Sequence, residues 1–156
     1  MDLKEQYDKL LRYCYMKTKD KILSEDIVQE AFLKFWQSHS YEDTGKEMAY
    51  LYTIARNLCM DEFRRKVTVD IDEYPDLLAC KDTEPESVLN SIAIEKALDR
   101  LPDDLRDIVV MRFVSDMSAA DIGKVMGITR FSVNRRLKEG LGILRKWLGG
   151  ENVNDR

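Results

Sequence analysis

The stretch Ser118 to Leu148, SAADIGKVMGITRFSVNRRLKEGLGILRKWL, decides the fold. Ser118 is a residue type that accepts hydrogen bonds from the free N–H groups of a first helical turn, and Asp121 suits the positive end of that helix. Ile122, Val125 and Met126 give the helix one apolar face, and Gly123 leaves room for a second helix to cross close by. Gly127 supplies the left-handed conformation that ends a helix, and Thr129 is a cap for the next. Val133, Leu137, Leu141 and Leu144 then recur at helical spacing toward a core. The opposite face carries Arg130, Asn134, Arg135, Arg136 and Lys138, donors suited to phosphates and base edges. A basic run alone is more often a solvated surface. With a cap, a small residue at the crossing and a turn glycine, it reads as a helix-turn-helix whose second helix meets DNA.

Charge elsewhere supports that division. The 156 residues carry a net charge of -4, an unexpected sign for a nucleic-acid binder until it is mapped along the chain. Residues 1–66 hold 12 basic and 12 acidic side chains, whereas 67–86 hold one Lys against seven acids. Residues 87–126 are at -2, and 127–148 reach +5. The chain is thus a neutral head, an acidic middle and a basic end. Cys14, Cys59 and Cys80 lack CxxC spacing and His39 is the single histidine, which argues against a zinc site or a disulfide framework and fits a reducing compartment. The opening MDLKEQYDKLLRYCYMKTKDK has no apolar signal core, and no stretch approaches the length of a membrane span, so a cytoplasmic protein is expected.

From the N-terminus, Leu3, Tyr7, Leu10, Leu11 and Cys14 predict a first amphipathic helix, and Lys17 to Lys21 a charged break. Ser24 is the expected cap of a second helix with Ile27, Val28, Ala31, Phe32, Phe35 and Trp36 inward and Glu25, Asp26, Gln29, Glu30 and Lys34 outward. A polar turn, QSHSYEDTGKE, holds Tyr41 as an isolated aromatic. A third helix is predicted over Ala49 to Lys66, with Leu51, Ile54, Ala55, Leu58, Cys59 and Phe63 inward. Tyr50, Thr53, Asn57 and Arg64 share another side, with Arg56, Arg65 and Lys66 adding charge. Rings and amides mixed with cations suit single-stranded nucleic acid, although both tyrosines serve equally as core or rim packing. The acidic stretch 67–86, with Pro75 and Pro85, reads as a linker between an N-terminal domain, 1–66, and a C-terminal one, 87–156. That second domain opens with Val88, Leu89, Ile92, Ile94, Ala97 and Leu98. Pro102 falls in the first turn of the next helix, where Asp103 and Asp104 complement its dipole, and Leu105, Ile108, Val109 and Met111 to Phe113 pack it. Nothing alternates as strand, so the fold class is all-α: two small helical domains joined by a flexible acidic linker, the C-terminal one a helix-turn-helix.

Four segments taken in order, DIVQEAFLKFW from Asp26, AYLYTIARNLCMDEFRRK from Ala49, LPDDLRDIVVMRF from Leu101 and the terminal helix-turn-helix, resemble the bacterial sigma factors of the small extracytoplasmic-function class. The resemblance implies a transcription initiation factor that binds core RNA polymerase, through the β′ clamp helices and the β subunit, and helps to melt promoter DNA. It assigns Asp26, Gln29, Glu30 and Lys34 to polymerase binding. It assigns Tyr41, Tyr50, Tyr52, Asn57, Arg64 and Arg65 to the unpaired minus-ten strand. Arg130, Ser132, Asn134, Arg135, Arg136 and Lys138 fall to the minus-thirty-five duplex. It also implies an anti-sigma factor as partner, and neither metal, cofactor nor small-molecule substrate. Three positions depart from the family pattern: Tyr50 stands where tryptophan is common, Glu139 lies in a usually basic helix, and Phe131 replaces a small residue at the start of the recognition helix.

Two other functions fit parts of the chain. A stand-alone operator-binding regulator explains the helix-turn-helix but leaves the first 66 residues without a role. An enzyme acting on DNA would need a nucleophile beside an arginine cluster or grouped carboxylates for metal ions, and neither pattern is present.

Overall fold

The computed structural model describes residues 2–38, 47–68 and 93–149, so Tyr41, His39, Cys80 and the acidic stretch beyond Thr68 lie outside the described residues. All regular structure among the described residues is helical: α1 (Leu3–Thr18), α2 (Lys21–Gln37), α3 (Glu47–Thr68), α4 (described over 93–99), α5 (Asp103–Phe113), α6 (Ala119–Met126) and α7 (Arg130–Gly149).

The N-terminal helices form a three-helix unit in which α1 and α3 both pack on α2 and on each other. The first corner is tight. Lys19, at φ 59°, donates its N–H to Tyr15 O, and Asp20 caps α2 by accepting from Leu23 N at 3.1 Å. The expected break at Lys17 to Lys21 is therefore only Lys19 and Asp20, and the expected cap Ser24 sits inside the first turn. Ser24 is fully buried, hydrogen-bonded to Thr18 Oγ1 at 2.7 Å, so its hydroxyl closes the corner instead of capping the helix.

In the C-terminal half, α5 and α6 pack against α7. Pro102 precedes α5 as its cap residue, one position earlier than expected, with Asp103 and Asp104 in the first turn. Ser118 accepts from Asp121 N at 3.1 Å, Gly127 takes φ 75°, and Thr129 Oγ1 accepts from Ser132 N at 3.1 Å. A Cβ on Gly123 would stand 2.6 Å from Ile128 O, so the turn backbone crosses α6 where only glycine fits.

The two halves meet in one continuous core, with α3 lying on α6. At its centre Tyr13 and Tyr52, both fully buried, make an edge-to-face pair with ring centroids 5.4 Å apart. Asp107, 2% exposed, accepts from Lys17 Nζ at 2.9 and 3.1 Å and from Arg56 Nε at 3.0 Å. Burial is the largest influence on Arg56 and opposes its charge, but the Asp107 hydrogen bond together with the charges of Asp107 and Asp104 outweighs it and raises the guanidinium above its ordinary value. Lys9 pairs with Asp116, and Lys19 with Glu95 and Asp99, along the rim of the same junction. Lys17, read from the sequence as part of a charged break, and Arg56, read as a cation beside the nucleic-acid side of the third helix, are thus structural.

Cys14 and Cys59 are free and fully buried between α1 and α3. The hydrogen bond to Cys59 and then burial push the Cys14 thiol far above its ordinary range, so it holds essentially no thiolate near neutral pH. In a Cys80→Ser variant, iodoacetamide is expected to label Cys14 only through transient unfolding. Denaturant should speed labelling by at least about a hundredfold. Native labelling at the rate of a small thiol would contradict the buried placement.

Candidate nucleic-acid interface

On α7, Val133, Leu137 and Gly140 face inward, and Ile143 and Leu144 pack partly buried against the same core. Arg130, Asn134, Arg135 and Lys138 are exposed, whereas Ser132 and Arg136 are half-buried on its flank. None of the four cations in this stretch, Arg130, Arg135, Arg136 and Lys138, is paired with a carboxylate among the described residues, so their charge is available to an external anion. Glu139 is exposed on the same helix. Arg135 and Lys138 thus lie on the side of α7 opposite the buried seam, with Arg130 and Asn134 on one flank and Ser132 and Arg136 on the other, the helix start being held by the Thr129 cap and the Gly123 crossing.

The α3 surface differs. Tyr50, Asn57 and Arg64 recur every seven residues, which is one stripe of a helix, and all three are exposed. Tyr50 is anchored, its ring tilted against Phe35 at 5.8 Å. Arg64 pairs with Asp61 and Arg65 with Glu62, each three residues away on the same helix, so these cations are partly neutralised. Tyr52 must be removed from the strand-binding set. It lies roughly 160° around the helix from Tyr50, fully buried against Tyr13, and offers no ring face to a base. Tyr41 lies outside the described residues.

On α2, Asp26, Gln29, Glu30 and Lys34 are all exposed, with Lys34 Nζ 3.8 Å from Glu30. Residues read from the sequence as core join them. Trp36 is 57% exposed, and with Leu33, Gln29, Leu3, Tyr7 and Phe32 it lines an open, largely apolar cleft of about 490 Å³ between α1 and α2. Exposed aromatic and aliphatic groups beside a polar rim are the composition of a protein interface rather than of a DNA surface. Period counting could not reveal this, because Trp36 follows the apolar pattern and no helix among the described residues covers it. Phe63 and Phe113, also expected inside, are 39% and 54% exposed for the same reason.

Among the described residues there is no group of three or more His, Cys, Asp or Glu side chains able to hold a metal, and no helix long and apolar enough to cross a membrane.

Comparison with known proteins matches this arrangement in two parts. The family model for Sigma-70 region 2 matches residues 3–68, and that for Sigma-70 region 4 matches residues 97–146. The chain is 31% identical over 142 residues to the ECF RNA polymerase sigma factor SigL of Mycobacterium tuberculosis, covering 87% of this chain and 80% of that protein. It is 28% identical over 156 residues to SigW of Bacillus subtilis, covering 90% and 83%. Among solved structures, it is similar to the sigma factor RpoE in complex with the anti-sigma factor NepR from Bartonella quintana. That fold likeness has a TM-score of 0.79 at 22% identity and covers 97% of this chain and 96% of that one. CnrH in complex with the cytosolic domain of CnrY gives a TM-score of 0.69 at 17% identity, covering 93% and 83%.

Proposed function

This chain belongs to the extracytoplasmic-function class of the sigma-70 family, a transcription initiation factor that directs RNA polymerase to promoters, and from that premise we propose how its surfaces divide the work. Residues 1–66 form the unit that docks on core polymerase and captures the minus-ten strand, 67–86 the linker, and 87–156 the unit that reads the minus-thirty-five duplex. The contrast between the unpaired cations of α7 and the mixed polar and apolar face of α2 carries this reading: the first suits phosphate, the second suits protein.

Asp26, Gln29, Glu30 and Lys34 are the polymerase contacts, with the β′ clamp helices as their partner and Leu33 and Trp36 beside them. Tyr50, Asn57, Arg64 and Arg65 line the path of the unpaired strand. Tyr50 stacks on a base, and the Asn57 amide donates to and accepts from a base edge. Tyr41 belongs to the same set on the resemblance alone. Arg130, Ser132, Asn134, Arg135, Arg136 and Lys138 contact the duplex. The chain works by binding, in the cytoplasm, and no residue is assigned a catalytic role. An anti-sigma factor is a further partner, a reading supported by the similar sigma factor RpoE, which is held in complex with the anti-sigma factor NepR.

Docking is tested on α2. Asp26→Lys combined with Gln29→Ala replaces two exposed side chains, so stability should change by less than about 0.5 kcal/mol. Affinity for core polymerase should fall at least about tenfold, which is about 1.4 kcal/mol. Unchanged capture of core enzyme by the folded variant would show that the docking surface lies elsewhere.

A further inference from the structure

We propose that Phe131 is a specificity-determining residue that reads the C5-methyl group of a thymine in the duplex entered by α7. The proposal rests on the reading of α7 as the recognition helix and adds a residue that no donor-and-acceptor argument selects.

Geometry carries it. Val133, Leu137 and Gly140 define the buried seam of α7, and 3.6 residues per turn places Phe131, Arg135 and Lys138 together on the side opposite that seam. Phe131 is 72% exposed and Arg135 and Lys138 are exposed with it. If Arg135 and Lys138 face the groove, Phe131 faces it too, from the first turn, and N-terminal residues of such a helix are those that contact base edges. Its backbone position is fixed. The Thr129 cap and the close crossing at Gly123 fix the start of α7, and the Arg130 guanidinium lies 5.6 Å from the ring centroid.

Chemistry then selects the target. A phenyl ring has no hydrogen-bonding group, so it cannot distinguish bases by their donors and acceptors. Thymine alone presents a methyl group in the major groove, and apolar side chains, Phe among them, read it by contact. An isolated exposed phenylalanine would otherwise need no explanation. This one stands in line with two unpaired cations on the surface that would be dehydrated on DNA, where its burial becomes favourable.

The test uses polymerase holoenzyme assembled with the full chain and a promoter duplex selected by that holoenzyme from a random library. Each thymine of the minus-thirty-five element is replaced in turn by deoxyuridine, which removes only the methyl group. One replacement should weaken wild-type binding about three- to tenfold, the scale of one buried methyl. That loss should vanish in Phe131→Ala and persist in Arg135→Ala, with both variants melting like wild type. A deoxyuridine penalty equal in Phe131→Ala and wild type, or no penalty at any thymine, overturns the proposal. If Arg135→Ala weakens binding while Phe131→Ala leaves the deoxyuridine profile unchanged, α7 still reads DNA and only the methyl contact fails. If both variants bind and discriminate like wild type, α7 is not the recognition helix and the proposal falls with that reading.

Discussion

Asp107→Ala is expected to destabilise the protein by on the order of 3 to 5 kcal/mol, the cost of removing one partner from a buried ion pair. The Asp107 carboxylate is 2% exposed and accepts from Lys17 of α1 and Arg56 of α3, whose side chains are 6% and 18% exposed. Removing it leaves a buried ammonium and a guanidinium without their shared counter-charge, and among the described residues only Asp104, 3.9 Å from Arg56, remains as an ion-pair partner. The melting temperature should fall by roughly 10 °C. The triple variant Lys17→Met, Arg56→Met, Asp107→Leu should recover most of the loss, because a well-packed apolar set of similar volume can replace a buried ion network. Thermal or denaturant unfolding of the three proteins measures this. A loss below about 1 kcal/mol in Asp107→Ala would mean that water reaches the cluster and that the junction between the halves is looser than described.

That cluster also marks where sequence reading stops. Ser118, Gly123, Gly127 and Thr129 were legible because capping, close crossing and a left-handed turn each select a few residue types over a few positions. The basic side of α7 followed from the period alone. Lys17 and Asp107 are 90 residues apart in the chain, and nothing local distinguishes them from charges on a solvated face. Ser24 looked like a cap because Ser and Asp share that chemistry; Asp20 took the role, and the Ser24 hydroxyl was committed to Thr18. Tyr50 and Tyr52 are two residues apart, and their separation into surface and core depended on where α1 lies, which the α3 pattern does not contain. Trp36, Phe63 and Phe113 fit an apolar repeat but sit at edges where no helix among the described residues covers them. What the period reports is a face, and whether anything packs on that face is decided elsewhere in the fold.

The largest expected effect is that of polymerase on promoter affinity. A single helix-turn-helix without a dimer partner buries little surface on DNA. The stretch 67–86 carries a net charge of -6 and adds like charge to a molecule that must approach the phosphates. Free protein should therefore bind promoter duplex with a Kd in the micromolar range or weaker at physiological salt, close to non-specific affinity. On core enzyme the two units are held at promoter spacing, so the second contact becomes intramolecular, and a gain of roughly a thousandfold is within reach of effective concentration alone. The stand-alone regulator predicts the reverse, full affinity without polymerase. Duplex binding by the purified protein, measured with and without core RNA polymerase at the same salt, separates them most directly. A sigma factor gives weak, unselective binding alone and tight, sequence-selective binding with start-site-specific transcription once core enzyme is added, whereas nanomolar, sequence-specific binding alone with no gain from polymerase would contradict the account.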